Sequence, residues 1–193
     1  MYKGEYITMQ IEIPSNINPD VEIHMPFKVA EFEKVSFEQF EEAMLENHFD
    51  VYKEFFQVIY DSIKLPERAT KGSAGYDFFS PVSFVPPTGD RGIVIPTGIR
   101  CNMEPGWVLQ MYPRSGHGFK FGVHLYNTIG IIDQDYYYAD NEGHIMVKIS
   151  AKEPCKTIEL GDAFCQGIFM PFGITKNDNV EEIRTGGFGS TSK

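Results

Sequence analysis

The stretch VHLYNTIGIIDQDYYY, residues 123–138, holds the most informative local pattern in the chain. Residues 123–125 favour a β-strand, residues 127–130 are typical of a turn, and the two isoleucines that follow resume an apolar strand. The sequence therefore predicts a β-hairpin over this stretch.

The acidic residue Asp133 comes directly after the two isoleucines and shortly before a run of three tyrosines. A carboxylate held among apolar neighbours has a raised affinity for protons, which suits a general base. The alternative is a turn aspartate whose side chain caps its own backbone. The stretch alone favours the turn aspartate, and only the other motifs of the chain favour the base.

Length and composition predict a single domain with a substantial core, because the chain has 193 residues and 42% of them are hydrophobic. No apolar run approaches the roughly 18 residues that a membrane span needs. The first ten residues lack the apolar core of a signal peptide. Three cysteines, Cys101, Cys155 and Cys165, form neither a zinc pattern nor a disulfide framework. We therefore expect a cytoplasmic protein without a membrane association.

The formal net charge of -10 argues against a partner with a nucleic-acid backbone. Residues 31–61 hold nine acidic residues and two lysines, so most of the negative charge lies there. The remaining chain is nearly neutral, and a polyanionic substrate would need local cations and a metal ion.

Residues 36–63, called the helical segment below, predict one long helix or two helices broken near residues 47–50. Ser36 and Gln39 have the spacing of a capping box, and Pro66 marks the end. The apolar residues recur near the helical period at Phe37, Phe40, Met44, Val51, Phe55, Val58 and Ile59. This face is expected to pack on the core; the alternative is a docking surface for a partner protein.

From residue 63 onward the pattern becomes β, with short apolar runs separated by Pro, Gly, Asn and Asp and no helical period between them. Such spacing predicts a sandwich or barrel. Residues 1–35 predict one or two further strands. The expected strands are residues 63–65, 76–79, 92–95, 98–101, 107–112, 123–126, 145–150, 157–160 and 164–171.

Five segments in order along the chain resemble the five motifs of the homotrimeric dUTPase family. They read AGYD at residues 74–77, PRSG at 113–116, NTIGIIDQDY at 127–136, GDAFCQ at 161–166 and RTGGFGST at 184–191. The resemblance implies a mainly β fold, a distorted jelly-roll β-barrel, in a homotrimer with shared active sites. It also implies hydrolysis of dUTP to dUMP and pyrophosphate, which limits uracil incorporation into DNA and supplies dUMP for dTMP synthesis.

The third motif implies the catalytic base and the base-recognition residues. Asp133 matches the general base, which orients a water for attack on the α-phosphate, and Tyr136 matches a ring that stacks under the deoxyribose. The alternative for Tyr136 is an aromatic residue packed in the core. The residues that match the uracil-binding window are Asn127, Gly130, Ile131, Ile132 and, on the next strand, Met146.

The other motifs imply the phosphate-binding residues and a lid. Arg114, Ser115, Gly116 and Gln166 match residues that meet the phosphates, and a structural ion pair is the alternative for Arg114. Mg²⁺ is expected on the phosphate oxygens, with Asp77 holding its waters. The tail, residues 180–193, is expected to close the site with the residues Arg184, Phe188, Gly189, Ser190 and Thr191.

The chain departs from the family pattern in five places. Ala163 stands where Arg is common, Arg184 lies one residue closer to the Gly186-Gly187 pair than in many members, and Ser192 replaces a usual glycine. Residues 137–142 enlarge a turn, and the helical segment precedes the first motif. One alternative function is a dCTP deaminase, which is disfavoured because no acid follows Gly143-His144 on the next strand. Another is a regulatory protein on the same scaffold that binds a partner through the helical segment.

Overall fold

The computed structural model of the chain describes residues 27–89, 91–182 and 186. Within this part of the chain, ten β-strands, three α-helices and two 3-10 helices surround one hydrophobic core. All strand pairs are antiparallel and form three sheets. The predicted mainly β fold is confirmed.

The largest sheet has five strands and carries most of the motif residues. Its longest pair, β6 (Trp107–Pro113) and β10 (Ala163–Pro171), is in register from Cys165 opposite Pro113 to Pro171 opposite Trp107. In spatial order the strands are β2 (Glu67–Arg68), β3 (Tyr76–Phe79), β10 (Ala163–Pro171), β6 (Trp107–Pro113) and β8 (Gly130–Ile132).

Two smaller sheets complete the core. The three-stranded sheet contains β4 (Ile93–Pro96), β9 (Met146–Ser150) and β7 (His124–Leu125) in that order, and β1 (Ala30–Lys34) pairs with β5 (Ile99–Met103). Alternate residues of these strands face inward, as in β9, where Val147 and Ile149 are buried and Lys148 is exposed.

The predicted hairpin at residues 123–138 is wrong in its pairing. Its first arm, β7, pairs with β9, whereas its second arm, β8, pairs with β6 in the five-stranded sheet. The connecting turn therefore crosses from one sheet to another, with Thr128 N donating to the Leu125 carbonyl at 3.0 Å. Cross-strand packing decides this arrangement, since turn residues and apolar runs look alike in both cases.

The helical segment is broken, which confirms the second of its two predicted forms. α1 (Phe37–Glu46) is followed by a 3-10 helix (Asp50–Phe55) and by α2 (Phe56–Ser62). Gln39 N donates to Ser36 Oγ at 3.2 Å, as an N-cap requires. The reciprocal bond differs from a capping box, because Ser36 N donates to Glu142 Oε2 at 2.7 Å.

The break divides the apolar residues of the helical segment into two groups. Phe40, Met44 and Ile59 are buried in the core. The 3-10 turn changes the angular spacing, so Val51, Phe55 and Val58 face solvent at 76%, 58% and 66% exposure. The prediction of one continuous buried face is therefore wrong for these three residues, which we call the exposed stripe.

Gly98 is the contact point between the helical segment and the barrel. Its φ of +72° lies in the left-handed region, and an added Cβ would collide with Ile63 and approach Phe40 to 3.3 Å. The Gly98 carbonyl also accepts a hydrogen bond from Val35 N at 3.0 Å. The β4–β5 turn thus needs a glycine to let the helices close on it.

Three local predictions differ from the structure. Residues 63–65 follow the end of α2 and form no strand, and residues 157–160 contribute only an isolated bridge between Ile158 and Phe84. Ser115–Phe121 forms a helix, α3, where no helix was predicted. Its end is held from outside, since Lys152 N and Glu153 N both donate to the Phe121 carbonyl.

The three cysteines are free, with Cys101 and Cys165 buried. None of the described helices combines the length and the hydropathy that crossing a lipid bilayer would require.

Candidate active site

A cavity of about 560 Å³ opens beside the turn that links β7 to β8. Five of the residues predicted to recognise the base line it together: Asn127, Gly130, Ile131, Ile132 and Met146. Its walls are mostly apolar, with Met111 and Leu125 from the core and Val147 from β9. We call this cavity the base pocket. Its size and lining suit a flat ring with a few polar edges.

Gly130 places the turn close to the neighbouring strand β6. It lies opposite Met111 in the antiparallel register, and a Cβ at this position would come within 3.0 Å of the Met111 Cβ. A larger residue would push β8 away from β6 and widen the pocket. The same added Cβ would lie 3.7 Å from Asn127 Nδ2, so glycine also leaves room for the asparagine amide.

Asp133 lies at the end of β8 and directly precedes the second 3-10 helix, Gln134–Tyr138. Its side chain is exposed, and its neighbour Ile131 is exposed as well. The apolar surroundings expected for Asp133 are therefore not found within one chain. The carboxylate instead faces solvent beside the pocket residues Ile131 and Ile132, where a water molecule can reach it.

Tyr136 is 3% exposed and belongs to the hydrophobic core. Its hydroxyl donates to the His144 carbonyl at 2.9 Å and accepts a bond from Asn141 Nδ2 at 2.8 Å. In the single chain this tyrosine therefore follows the alternative of core packing, and little of its ring is left for contact with a sugar. The hydroxyl bonds fix the enlarged turn at residues 137–142 to the segment that leads into β9.

A second group of predicted residues forms a charged cluster at the C-terminal end of β6. Arg114 Nε and Nη2 meet the two Asp77 carboxylate oxygens at 3.0 and 3.1 Å, in a bidentate ion pair. Gln166 stands opposite Asp77 on β10, and its Nε2 donates to the Pro113 carbonyl at 3.1 Å. We call these residues the ion-pair cluster; it joins the first, second and fourth motifs.

Arg114 forms the ion pair expected of a buried structural arginine, but its side chain is not buried. The Arg114 side chain is 41% exposed, whereas that of Asp77 is 18% exposed. Ser115 and Gly116 follow in the exposed first turn of α3. The cluster thus presents a partly open cation, a hydroxyl and backbone N–H groups on one surface, which is chemistry suited to an anion.

His117, next in α3, adds no positive charge to this surface. Burial lowers its pKa from the ordinary value of 6.5, and the nearby Arg114 lowers it further. The neutral imidazole leaves Arg114 as the cation of the cluster.

No group of three or more His, Cys, Asp or Glu side chains that could hold a metal ion is found in residues 27–89, 91–182 and 186. Asp77 is a single carboxylate already engaged by Arg114. This donor set fits a hydrated Mg²⁺ held through water on a phosphate ligand better than a metal bound by protein groups alone.

Sequence reasoning missed several residues that line the base pocket. Glu46 and Asn47, at the C-terminal end of α1, form one wall, and Lys148 of β9 forms part of another. The Lys148 ammonium lies 4.2 Å from the centre of the Tyr126 ring. No motif contains these residues, and no local pattern could have connected residue 47 to a turn about eighty positions later.

The predicted site residues of the tail form the remaining group. Arg184, Phe188, Gly189, Ser190 and Thr191 lie outside the described residues.

The fold and these two groups of residues define a mainly β protein with one largely apolar pocket and a separate charged surface whose chemistry suits an anion. The sequence pattern of the dUTPase family matches residues 61–192, and the chain belongs to that family. The match begins at the end of the helical segment, so α1 and the first 3-10 helix lie outside it.

Individual relatives agree with this assignment. The chain is 44% identical over 135 residues to deoxyuridine 5'-triphosphate nucleotidohydrolase of Lactococcus lactis, covering 67% of this chain and 88% of the relative. It is 36% identical over 138 residues to the enzyme of the same name from Tolumonas auensis, covering 67% and 87%. A crystal structure of dUTPase from Streptococcus mutans matches with a TM-score of 0.53 and 36% identity, covering 58% of this chain and 89% of that one.

Proposed function

We propose that this protein hydrolyses dUTP to dUMP and pyrophosphate. The observation that carries the proposal is the convergence of the motif residues: five of them line one pocket, and three motifs meet in one ion-pair cluster. Membership of the dUTPase family and the names of the relatives support the same substrate. The pocket would take the uracil and the cluster the phosphates.

The base pocket would select uracil by shape and by hydrogen bonds. The Asn127 amide and the backbone of residues 130–132 offer donors and acceptors at the pocket wall. The close packing of Gly130 on Met111 keeps this wall near β6, so that a substituent on the ring would meet the apolar floor. Such a wall would discriminate against the methyl group of thymine by steric exclusion.

The ion-pair cluster would neutralise the phosphates. Asp77 holds the Arg114 guanidinium in one orientation through two bonds, so Arg114 would meet phosphate oxygens without first being ordered. Ser115, Gly116 and Gln166 would donate further hydrogen bonds. Mg²⁺ bound to the triphosphate would offset its charge, and Asp77 would hold one of the metal's waters.

Asp133 would act as the general base. Its carboxylate would accept a proton from a water molecule while the water oxygen bonds to the α-phosphorus. The bond from that phosphorus to the oxygen bridging to the β-phosphorus would break, and the electron pair would leave with pyrophosphate. The exposure of Asp133 supports this role, since the nucleophile must come from solvent.

We propose a homotrimer in which the sites are shared between chains. Support comes from the separation of the two halves: β8 carries pocket residues and β3 carries Asp77, with β6 and β10 between them. At about 4.8 Å per strand, β3 and β8 lie roughly 14 Å apart. The tail residues Arg184, Phe188, Gly189, Ser190 and Thr191 would close each site. Tyr136, buried in the core, would hold the turn at residues 137–142 in place through its hydroxyl bonds.

The test is pyrophosphate release from dUTP, dCTP, dTTP and UTP, with and without magnesium, by the wild type and by Asp133→Asn. We expect dUTP to be strongly preferred and Asp133→Asn to lower kcat by at least about a thousandfold, because it removes the proton acceptor. Binding of dUTP should be nearly unchanged. Equal turnover by the variant would refute the role of Asp133, and equal use of dCTP would refute the substrate.

A second role is favoured by the exposed stripe of the helical segment. Val51, Phe55 and Val58 form an apolar surface that the core does not use. We propose that this stripe is a docking surface for a partner protein, alongside hydrolysis.

A further inference from the structure

The C-terminal end of α1 forms a wall of the base pocket although it lies outside the span that matches the dUTPase family. Asn47 is the C-terminal cap of α1 and is half-buried, and both Asn47 and Glu46 line the pocket. The family match starts at residue 61. This chain therefore builds part of its base pocket from residues that the family pattern does not contain.

The wall is rigidly attached to the barrel. Ser36, at the start of α1, donates through Oγ to Glu142 Oε1 at 2.6 Å and through its backbone N–H to Glu142 Oε2 at 2.7 Å. Phe40, Ala43 and Met44 bury the inner face of the helix. Because both the start and the inner face of α1 are fixed, its last residue is held in one place against the pocket.

The Asn47 side chain has a defined orientation. Its Nδ2 donates to the Ala43 carbonyl at 2.8 Å, and since a carbonyl only accepts, the NH₂ group must point there. The same Nδ2 lies 3.8 Å from Met146 Sδ, within reach of a weak N–H···S bond. Asn47 thus bridges the end of α1 and the sulfur of a residue that lines the pocket.

We propose that Asn47 is a positioning residue that sets the shape of the base pocket by holding the Met146 side chain. Methionine has three rotatable bonds and readily changes its path when nothing restrains it. The amide of Asn47 restrains the sulfur, and with it the terminal methyl group. The selectivity of this enzyme among pyrimidines therefore depends in part on the helical segment. This inference rests on the proposed function, in which the pocket binds the base.

A double-mutant cycle tests the proposal, with Asn47→Ala, Met146→Leu and the two combined. Asn47→Ala should raise KM for dUTP about three- to tenfold and leave kcat within about twofold, as loss of one weak positioning bond predicts. The ratio of kcat/KM for dUTP over dTTP should fall by a similar factor. In the Met146→Leu background, which lacks the sulfur, Asn47→Ala should have no further effect.

Additive effects of the two substitutions would overturn the proposal, and so would an Asn47→Ala enzyme with unchanged KM and selectivity. Should Asn47→Ala fail to fold, Asn47→Ser, which also lacks the amide, carries the same expectation. Gln57→Ala is the matched control, because Gln57 lies in the helical segment, is exposed and donates through its side chain to Asp61 on the same helix. It should leave KM and selectivity unchanged.

Asn127→Ala separates this inference from the proposed function. If Asn127→Ala raises KM for dUTP and Asn47→Ala does not, the pocket binds the base and Asn47 has no part in it. If neither substitution changes KM, the pocket is not the base site and the inference fails with that assignment, whereas pyrophosphate release from dUTP tests the hydrolysis itself. The intrinsic fluorescence of Trp107 in β6 verifies folding of every variant.

Discussion

The helical segment and the barrel share one hydrophobic core, although only the barrel contains the sequence motifs of the family. The barrel carries the family motifs in short strands, whereas the helical segment has none of them and contributes nine acidic residues with its flank. Yet Phe40, Met44 and Phe56 are as deeply buried as the strand residues Phe78 and Phe164. A segment that lacks the family motifs can therefore still be an integral part of the hydrophobic core. We expect the two regions to unfold together and to act on one site.

The largest expected effect on stability comes from removing a core side chain that the helical segment contributes. Phe40 is fully buried between the Tyr60 ring and the His144 ring, and Phe40→Ala should lower the free energy of unfolding by about 3–5 kcal/mol. In urea, far-ultraviolet circular dichroism and Trp107 fluorescence should show one coincident transition at lower denaturant. Phe55→Ala, at an exposed position, serves as control. Two separate transitions would show that helices and barrel are independent.

An acid titration probes the same junction from the barrel side. Burial lowers the pKa of His144 to about 4 from the ordinary 6.5, although Glu142 opposes the shift. His144 Nε2 accepts a hydrogen bond from Gly98 N at 2.8 Å, which requires the neutral ring. The unfolded chain binds this proton near pH 6.5 and the folded chain only near pH 4. The associated stability is therefore complete above pH 6.5 and decreases as the pH falls to 4, by about 3 kcal/mol.

The measurement is the free energy of unfolding between pH 7 and pH 4. His144→Gln, whose amide oxygen can still accept from Gly98, should lose this part of the pH dependence. An identical pH profile in the variant would show that His144 does not cause it.

The Glu142 carboxylate at this junction behaves in the opposite way. Partial burial alone raises its pKa, but the two bonds from Ser36 outweigh burial, with help from Arg100 and His144, so the net pKa lies below 4.5. The stability that Glu142 contributes is thus present above pH 4.5 and is lost below that value as its carboxylate gains a proton. The Ser36–Glu142 contact should accordingly persist through the window in which His144 titrates.

The smallest expected effect concerns the exposed stripe. Replacing Val51, Phe55 and Val58 together by Ser should change the free energy of unfolding by no more than about 1 kcal/mol and leave dUTP hydrolysis unchanged. Capture of a partner from host lysate should be lost. Equal capture by the substituted and the original chain would contradict the docking role, and loss of hydrolysis would show that the stripe serves the active site instead.

Local features of the chain could be predicted with good accuracy. β3 was predicted with its observed bounds, and β4, β6, β9 and β10 within one or two residues, because alternation and turn residues act over neighbouring positions. The N-cap at Ser36 and the break of the helical segment were also found. The five residues grouped in the base pocket followed from the family resemblance, since four lie within residues 127–132 of the third motif and Met146 was matched on the next strand along the chain.

Contacts between distant positions could not be predicted. The assignment of β7 and β8 to different sheets, the burial of Tyr136 and the exposure of Asp133 all depend on which strands pack side by side. The Ser36–Glu142 bonds span 106 positions and the Asn47–Met146 contact spans 99. The hydrophobic periodicity of residues 36–47 carries no information about contacts with residues 142–146, and the reverse also holds.

The sequence by itself determined the mainly β class, the family and the residues that meet in the base pocket and the ion-pair cluster. The β class follows from local patterns, and the site residues follow from the resemblance of five short motifs to those of the family. Only the tertiary structure decided that the helical segment joins the core and supplies a wall of the pocket. The physical reason is that the contacts between residues 36–47 and 142–146 form only when both segments pack on the shared core. Local secondary-structure propensities do not depend on such distant contacts and so cannot predict them.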